Sequence, residues 1–363
     1  MLENSRDRFA SPSCRLYHSE VGIHTFELLY FFSDSNRYER IKKVWQFLTQ
    51  KCRRYSHNHY QFTLCPGLRA EILNNSIGQS LKMLVNPRVM VHGELGYLGI
   101  TDCRSDILTE CRFIFNDFWE RHGLAFLKME YCLANRIDLC MGIEFLEPFS
   151  IPDYLDLLKR TPHKNTYRLL LLPNPEDEWH NFKIANQRRG LVVYDKVHEQ
   201  NRFSKSSVVS GLNLMRIEYQ LYPAGLRNLS QKRGIADRYA LFTWLMNNAP
   251  ETICKGIQHC LEITPYRSIE KVRAEIEKQT AWHESTRVKM MKVQQYLYQQ
   301  GTYDSLVEEM RRQKKMSELH RILERYRQLR LSPTTLRKRS GQIYMPSLFM
   351  LALYVLQKEF EEE

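Results

Sequence analysis

Apolar and polar residues follow two different periods along this chain, and the period changes near residue 230. In the first part, short apolar runs bounded by turn residues predict strands. The clearest strand spans Arg136 to Phe145, where every second residue is apolar and Asp138 falls on the polar face. The remaining predicted strands are 23–32, 69–73, 80–85, 169–172, 190–197 and 212–222. Apolar residues three or four positions apart predict helices at 38–48, 106–122 and 152–158.

After Pro223-Ala224-Gly225, helical spacing dominates to the end of the chain. It predicts helices at 239–246, 269–276, 288–298, 305–310, 319–329 and 348–360. We therefore expect an α+β fold with two parts. Residues 1–230 form a mixed or antiparallel central sheet with flanking helices, and residues 231–363 form a helical region. A short echo between Leu68–Ile72 and Arg216–Tyr219 raises the hypothesis of two pseudo-repeated halves in the first part.

Composition narrows the classes of partner. The chain has 363 residues, an apolar fraction of 43% and a net charge of +12, which favours a polyanion such as nucleic acid. The alternative is a basic surface with no specific partner. No run approaches the ~18 apolar residues of a membrane span, and the polar N-terminus does not resemble a secretory signal. Nine scattered cysteines without a Cys-x-x-Cys pair indicate reduced thiols in a cytoplasmic protein.

Two acidic strand residues are candidates for a metal site. Asp138 in Arg-Ile-Asp and Glu218 in Arg-Ile-Glu each lie in the middle of a predicted strand, a position that acidic residues seldom occupy. Carboxylates on two neighbouring strands can hold Mg²⁺ or Mn²⁺ and leave room for phosphate oxygens. The alternative is that each acid forms a salt bridge with the arginine two residues before it.

A tyrosine lies between these two acidic strands in the sequence. In Leu191–Lys196, strand alternation places Tyr194 and Lys196 on the same face. A metal ion or ammonium group nearby would favour the phenolate, which could attack a phosphodiester. Lys196 would neutralise phosphate charge, and Glu199 could be a third metal ligand or a general base. The alternative is an ordinary strand tyrosine, since the chain contains 20 tyrosines.

The C-terminal region carries a basic run with few balancing acids. Basic helices joined by a short turn suit contacts with duplex phosphates, whereas a solvated helix face is the alternative. The predicted DNA-binding residues are Arg311, Arg312, Lys314, Lys315, Arg321, Arg325, Arg337, Lys338 and Arg339.

Several short segments occur in an order that is similar to a known family. They are Ser80–Pro87, Val91–Leu95, Gly99–Asp102, Asn135–Leu139, Leu191–Glu199, Met215–Leu221, Gly301–Ser305 and Tyr326–Thr335. In the order and spacing of these segments, the chain resembles the rolling-circle replication initiators of filamentous phages, which are the gene II and gene X proteins, and related plasmid initiators. One departure is that His92-Gly93-Glu94 stands where the family has Gly-His-Asn.

The resemblance implies that Tyr194 nicks one DNA strand at a rolling-circle origin. It would become linked to the 5′ phosphate, free a 3′-OH for a host polymerase, and later rejoin the strand. Asp138, Glu218 and Glu199 would hold the metal ion, and the partners would be supercoiled and single-stranded origin DNA with a host helicase, in the bacterial host cytoplasm. The first alternative is a non-catalytic DNA-binding replication regulator or repressor of the same fold. The second is a metal-dependent nuclease that leaves no covalent adduct.

Overall fold

The computed structural model describes most of the chain. The described residues are 12–33, 35–51, 53–56, 61–75, 78–93, 99–147, 149–164, 166–203, 211–299, 301–337 and 344–361.

One large antiparallel sheet organises the described part of the chain. Its strand order is β2-β3-β4-β5-β1-β7-β11-β10-β9-β8, with β6 paired to β1. Each pair of neighbours in this sheet is antiparallel. The strands are β1 Cys14–Phe31, β2 Arg53–Ser56, β3 Gln61–Cys65, β4 Leu68–Asn75, β5 Gly78–Val85, β6 Thr101–Asp102, β7 Leu133–Phe145, β8 Arg168–Leu169, β9 Asn181–Ala185, β10 Arg189–Asp195 and β11 Leu214–Leu221.

Helices lie between these strands and make up most of the chain after residue 222. In the first part they are α1 Arg37–Lys51, α2 Pro87–His92, α3 Ile107–Arg121, α4 Ile151–Arg160, α5 Pro175–Trp179 and α6 Lys196–Phe203. In the second part they are α7 Pro223–Arg233, α8 Arg238–Asn247, α9 Ala249–Cys260, α10 Ile269–Glu277, α11 Glu284–Gln299, α12 Tyr303–Arg312, α13 Met316–Gln328 and α14 Leu348–Glu361. A small second sheet joins β12 Tyr266–Ser268 to β13 Thr335–Leu336 and β14 Tyr344–Met345.

The predicted fold class is confirmed: the chain is α+β, with a central antiparallel sheet and helices after it. The alternation in β7 is also confirmed, because Ile137, Leu139 and Met141 are buried in the hydrophobic core on one face. Several boundaries differ from the prediction, and the difference at the end of β10 changes the description of the site. β10 ends at Asp195, so that Lys196 begins α6 instead of continuing the strand. The helix α9 was not predicted at all.

The apolar face of the sheet is covered by helices from the second part of the chain. Phe242 of α8 and Ile253 of α9 belong to the same hydrophobic cluster as Ile137 and Leu139 of β7. The rings of Phe26 and Phe242 lie 5.0 Å apart. The predicted boundary near residue 230 and the hypothesis of two halves both stay predictions. The observation is that the core of the sheet draws on residues from both sides of residue 230.

A second, smaller hydrophobic cluster lies among α10, α11, α12 and α13. Its buried residues are Val272, Ile276, Met290, Val293, Leu297, Tyr303, Leu306, Val307, Leu319, Ile322, Leu323, Tyr326 and Leu331. Among the described residues, no helix is both long enough and apolar enough to cross a membrane.

Candidate functional site

The three adjacent strands β7, β11 and β10 place a row of polar side chains on the face of the sheet opposite the core. Register pairs Glu218 with Cys140 of β7 and with Val192 of β10. Because side chains alternate along a strand, Asp138, Arg216, Glu218 and Tyr194 lie on this one face. All four are buried. Burying charged groups is costly unless they are paired, so their contacts decide what this row can do.

Tyr194 and Glu218 form the central contact of the row. The Tyr194 hydroxyl donates a hydrogen bond of 2.8 Å to Oε1 of Glu218. Burial raises the pKa of Tyr194 well above its ordinary value, and the negative charges of Glu218 and Glu199 raise it further. The tyrosine is therefore a neutral phenol whose proton points at a carboxylate oxygen.

A third residue, His24, contacts the same carboxylate from β1. Its Nδ1 lies 3.0 Å from Oε1 of Glu218. The register between β1 and β7 shifts between Ile23 and Thr25, so His24 occupies a β-bulge. A bulge re-aims a side chain relative to a regular strand. Sequence reasoning missed His24. The only signal was a histidine within the strand predicted at 23–32.

The carboxylate of Glu218 is held in its charged form. Burial alone would raise its pKa, but the hydrogen bond and charge of His24, the hydroxyl of Tyr194 and the charge of Lys196 outweigh burial and lower the pKa to about 2. Gln220 adds a long contact of 3.4 Å from its amide nitrogen to Oε2. Glu218 is thus a charged acceptor that is already surrounded by donors.

Lys196 lies beside the tyrosine although it is not on the strand. Asp195 ends β10, and its Oδ1 accepts hydrogen bonds from the backbone N–H groups of Val197 at 3.1 Å and His198 at 3.0 Å, which starts α6. This cap leaves Lys196 buried, with Nζ 5.7 Å from the centre of the Tyr194 ring. Nζ also lies 2.5 Å from Oε2 of Glu199. The structure therefore brings Tyr194, Lys196, Glu199 and Glu218 together.

Asp138 lies on β7 two residues before Cys140, the residue paired with Glu218, and it has a separate set of partners. Its Oδ2 accepts a hydrogen bond of 2.6 Å from Thr25, and its Oδ1 lies 3.0 Å from Nε of Arg136. The salt bridge that was the alternative interpretation of Asp138 is therefore present. Burial raises the pKa of Asp138 to about 6, and the charge of Glu218 adds to this effect, although Arg136 opposes it. Arg216, two residues before Glu218, contacts Sγ of Cys140 at 3.5 Å.

The three predicted metal ligands do not form a metal site among themselves. Asp138 is paired with Arg136, Glu199 with Lys196, and Glu218 with Tyr194 and His24. Across the part of the chain that the structure describes, no group of three His, Cys, Asp or Glu side chains is arranged to hold a metal ion. The donor set of the row therefore does not fit Mg²⁺ or Mn²⁺ as predicted, and a metal requirement stays a prediction.

The predicted DNA-binding residues fall in three places. Arg311, Arg312, Lys314 and Lys315 lie at the end of α12 and in the turn after it, and Arg321 and Arg325 lie on α13. Arg337 follows β13, and its Nη2 lies 3.3 Å from Oδ1 of Asp156 on α4. Arg337 is therefore engaged within the fold. Lys338 and Arg339 lie outside the described residues.

The fold and this row of side chains define an α+β protein with a buried tyrosine–glutamate–histidine cluster on the polar face of its central sheet. No protein-family model matches the chain, and no curated protein matches its sequence.

Proposed function

We propose that this protein nicks and rejoins one DNA strand through a covalent phosphotyrosine at Tyr194, and that it does so to initiate rolling-circle replication. The observation that carries the proposal is the hydrogen bond of 2.8 Å from the Tyr194 hydroxyl to Glu218. A buried tyrosine that serves as a nucleophile needs a group that accepts its proton, and this carboxylate is within reach.

The step would proceed as follows. The Tyr194 oxygen attacks the phosphorus of a phosphodiester, and its proton passes to Glu218. The bond from phosphorus to the 3′ oxygen breaks, and that oxygen takes a proton from water and leaves as a 3′-OH. The 5′ phosphate stays bonded to Tyr194, and attack by a 3′-OH reverses the step and rejoins the strand. The ammonium group of Lys196, 5.7 Å from the ring centre of Tyr194, would offset the negative charge of the attacked phosphate.

The sequence resemblance supports the biological setting of this proposal. It places Tyr194 in the segment Leu191–Glu199, at the position of the family's nicking tyrosine. Origin DNA would be the substrate, a host helicase and polymerase would extend the freed end, and the reaction would take place in the cytoplasm of a bacterial host. The proposed reaction relies on Glu218 and Lys196, because the residues that the structure describes do not form the predicted site for Mg²⁺ or Mn²⁺.

Two observations favour a second candidate function. Only 7% of the surface of Tyr194 is exposed, and its pKa is raised well above the ordinary value by burial. Both features are those of a structural tyrosine, so the second candidate is a non-catalytic DNA-binding replication regulator of the same fold.

A search for a covalent adduct separates the two candidates. The full-length protein is incubated with Mg²⁺ or Mn²⁺ and either supercoiled plasmid or a pool of random single strands labelled at the 3′ end, because the label then stays on the fragment that joins the protein. We expect a labelled protein band on a denaturing gel for the wild type and for Tyr131→Phe, a control at an exposed tyrosine. Tyr194→Phe should give no band. A band of equal strength from Tyr194→Phe would refute the proposal, and a wild type that binds DNA without forming an adduct would favour the regulator.

A further inference from the structure

The helices α11, α12 and α13 form a compact unit with its own hydrophobic core. Leu306 of α12 and Leu319, Ile322 and Leu323 of α13 are buried in it. Tyr326 of α13 donates a hydrogen bond of 2.8 Å to the carbonyl oxygen of Met290 on α11. These contacts fix α13 against the helix before it and against α11.

The connection between α12 and α13 is short and has a defined shape. It consists of Gln313, Lys314 and Lys315, and Lys314 has a left-handed backbone conformation with φ of 56°. The N–H of Lys315 donates to the carbonyl of Met310 at 2.8 Å, and the N–H of Lys314 donates to that of Arg311 at 3.0 Å. This pair of bonds is a Schellman motif, which ends α12 sharply and turns the chain directly into α13.

The two faces of α13 differ in character. One face carries the buried residues of the small core. The opposite face is exposed at positions three or four residues apart, which places its side chains in one stripe along the helix. The stripe consists of Ser317, His320, Arg321, Glu324 and Gln328.

Positive charge surrounds this stripe. Between residues 311 and 330 the chain has eight arginines or lysines and two glutamates, which leaves a net charge of +6. Glu318 is paired with Lys289 of α11, and Glu324 with Arg327. Arg311, Lys314, Lys315 and Arg321 form no ion pair with any carboxylate that the structure describes, so their charges are available to an external polyanion.

We propose that α12 and α13 form a helix-turn-helix that binds duplex DNA, with the exposed stripe of α13 in the major groove. Two helices joined by a three-residue turn, the second with a polar outer face, are the parts of this motif. With 13 residues, α13 is roughly 20 Å long, enough to lie along a groove about 12 Å wide.

The two kinds of side chain then have different roles. Arg311, Lys314 and Lys315 contact phosphates at the groove edge, which gives affinity without sequence preference. Arg321 and its neighbours on the stripe reach base edges, where a bidentate hydrogen bond from arginine to guanine gives sequence preference. The inference rests on the proposed function only in taking DNA as the ligand, and it adds that this segment selects the duplex sequence.

Selection from a random pool tests the inference without knowledge of the origin sequence. The full-length protein is used to enrich sites from random-sequence duplex DNA, and single-stranded DNA and duplex RNA pools are run beside it. We expect one duplex DNA motif to be enriched. Arg321→Ala should lower affinity for that motif about tenfold or more and should lose the base preference at one position.

The turn lysine provides a second variant with a different expected result. Lys314→Ala should weaken binding evenly across sequences and reduce the slope of log affinity against log salt by about one. Arg121→Ala is the matched control, since Arg121 is an exposed arginine of α3 and its loss removes the same charge. A thermal melt of each variant checks that it is folded.

The outcomes separate this inference from the proposed nicking activity. If the combined variant Ser317→Ala, Arg321→Ala, Glu324→Ala enriches the wild-type motif with unchanged affinity, the inference is wrong. The same holds if only single strands or RNA are enriched, even when an adduct at Tyr194 forms. A motif that depends on Arg321 supports the inference, and it does so even when no adduct forms. Tyr194→Phe should enrich the same motif as the wild type.

Discussion

The pH dependence of stability should reveal the buried charge of Asp138. In the folded protein, burial raises the pKa of Asp138 from 3.8 to about 6. The folded state therefore binds a proton more readily than the unfolded chain. Above pH 6 the folded protein carries the full cost of a buried, ionised Asp138, and this cost is relieved as the pH falls through 6 towards 3.8.

The size of the effect follows from the shift. Two pKa units correspond to about 3 kcal/mol, since one unit corresponds to about 1.4 kcal/mol. Other groups also titrate in this range, so the useful quantity is a difference between two proteins. Asp138→Asn removes the titration, leaves Arg136 charged throughout, and keeps a side chain of the same shape.

We therefore expect the unfolding free energy of Asp138→Asn, minus that of the wild type, to be larger at pH 7 than at pH 4.5. The expected change is about 2 kcal/mol, less than the full amount because the lower pH does not reach 3.8. Glu218 stays charged in the folded state because its pKa is lowered to about 2, and its titration in the unfolded chain is common to both proteins and cancels in the difference.

Urea denaturation at a series of pH values and constant ionic strength measures this difference. If the difference in unfolding free energy stays constant from pH 7 to pH 4.5, burial does not raise the pKa of Asp138. The same series with MgCl₂ in place of KCl tests the metal prediction, since a cation bound to Asp138 would favour the charged form and flatten the dependence.

Two further predictions concern the neighbouring side chains. Glu218→Gln keeps the shape of the side chain but removes the proton acceptor of Tyr194. Single-turnover adduct formation should therefore slow by about 10² to 10⁴-fold, with DNA affinity unchanged. An unaltered rate would exclude Glu218 as the base. Gly256→Ala adds a Cβ that would lie 2.6 Å from Cδ2 of the buried Tyr219 ring, so urea denaturation should show a loss of about 1–3 kcal/mol. Thr252→Ala on the same helix is its control, and an equal loss from both would contradict the clash.

Local patterns predicted β7 and several other strands of the central sheet because their alternation reflects two different environments, whereas β2, β3 and β9 were not predicted. Ile137 and Leu139 face the core, whereas Asp138 faces the polar row, so the period of two is visible in the sequence. The antiparallel pair of β4 and β5 was predictable for a similar reason, since two apolar runs flank a turn. Local patterns also located Tyr194 and Glu218, whose hydrogen bond the structure describes.

Other features depended on partners that lie far away in the sequence. The bulge that re-aims His24 arises from a register shift against β7, which the residues around His24 do not encode. The sequence predicts that the strand continues through Lys196, and the cap formed by Asp195 shows why a helix begins there instead. The helix α9 was missed because Pro250 indicated a break, although proline is well tolerated in the first turn of a helix.

The cost of the polar row bears on whether it is structural or functional. The opposite face of the sheet already contributes a continuous hydrophobic core, so the row is not needed to bury apolar surface. Replacing buried ion pairs with apolar side chains of similar volume is often neutral or stabilising. The stability of the fold therefore does not explain why Glu218 is charged although it is buried. Nor does it explain why Tyr194 and His24 both contact Oε1 of Glu218. A pKa of about 2 makes Glu218 a weak base, which favours a structural role, whereas the hydrogen bond from Tyr194 to Glu218 favours a catalytic one. The adduct at Tyr194 is therefore the measurement that decides between the two proposed functions.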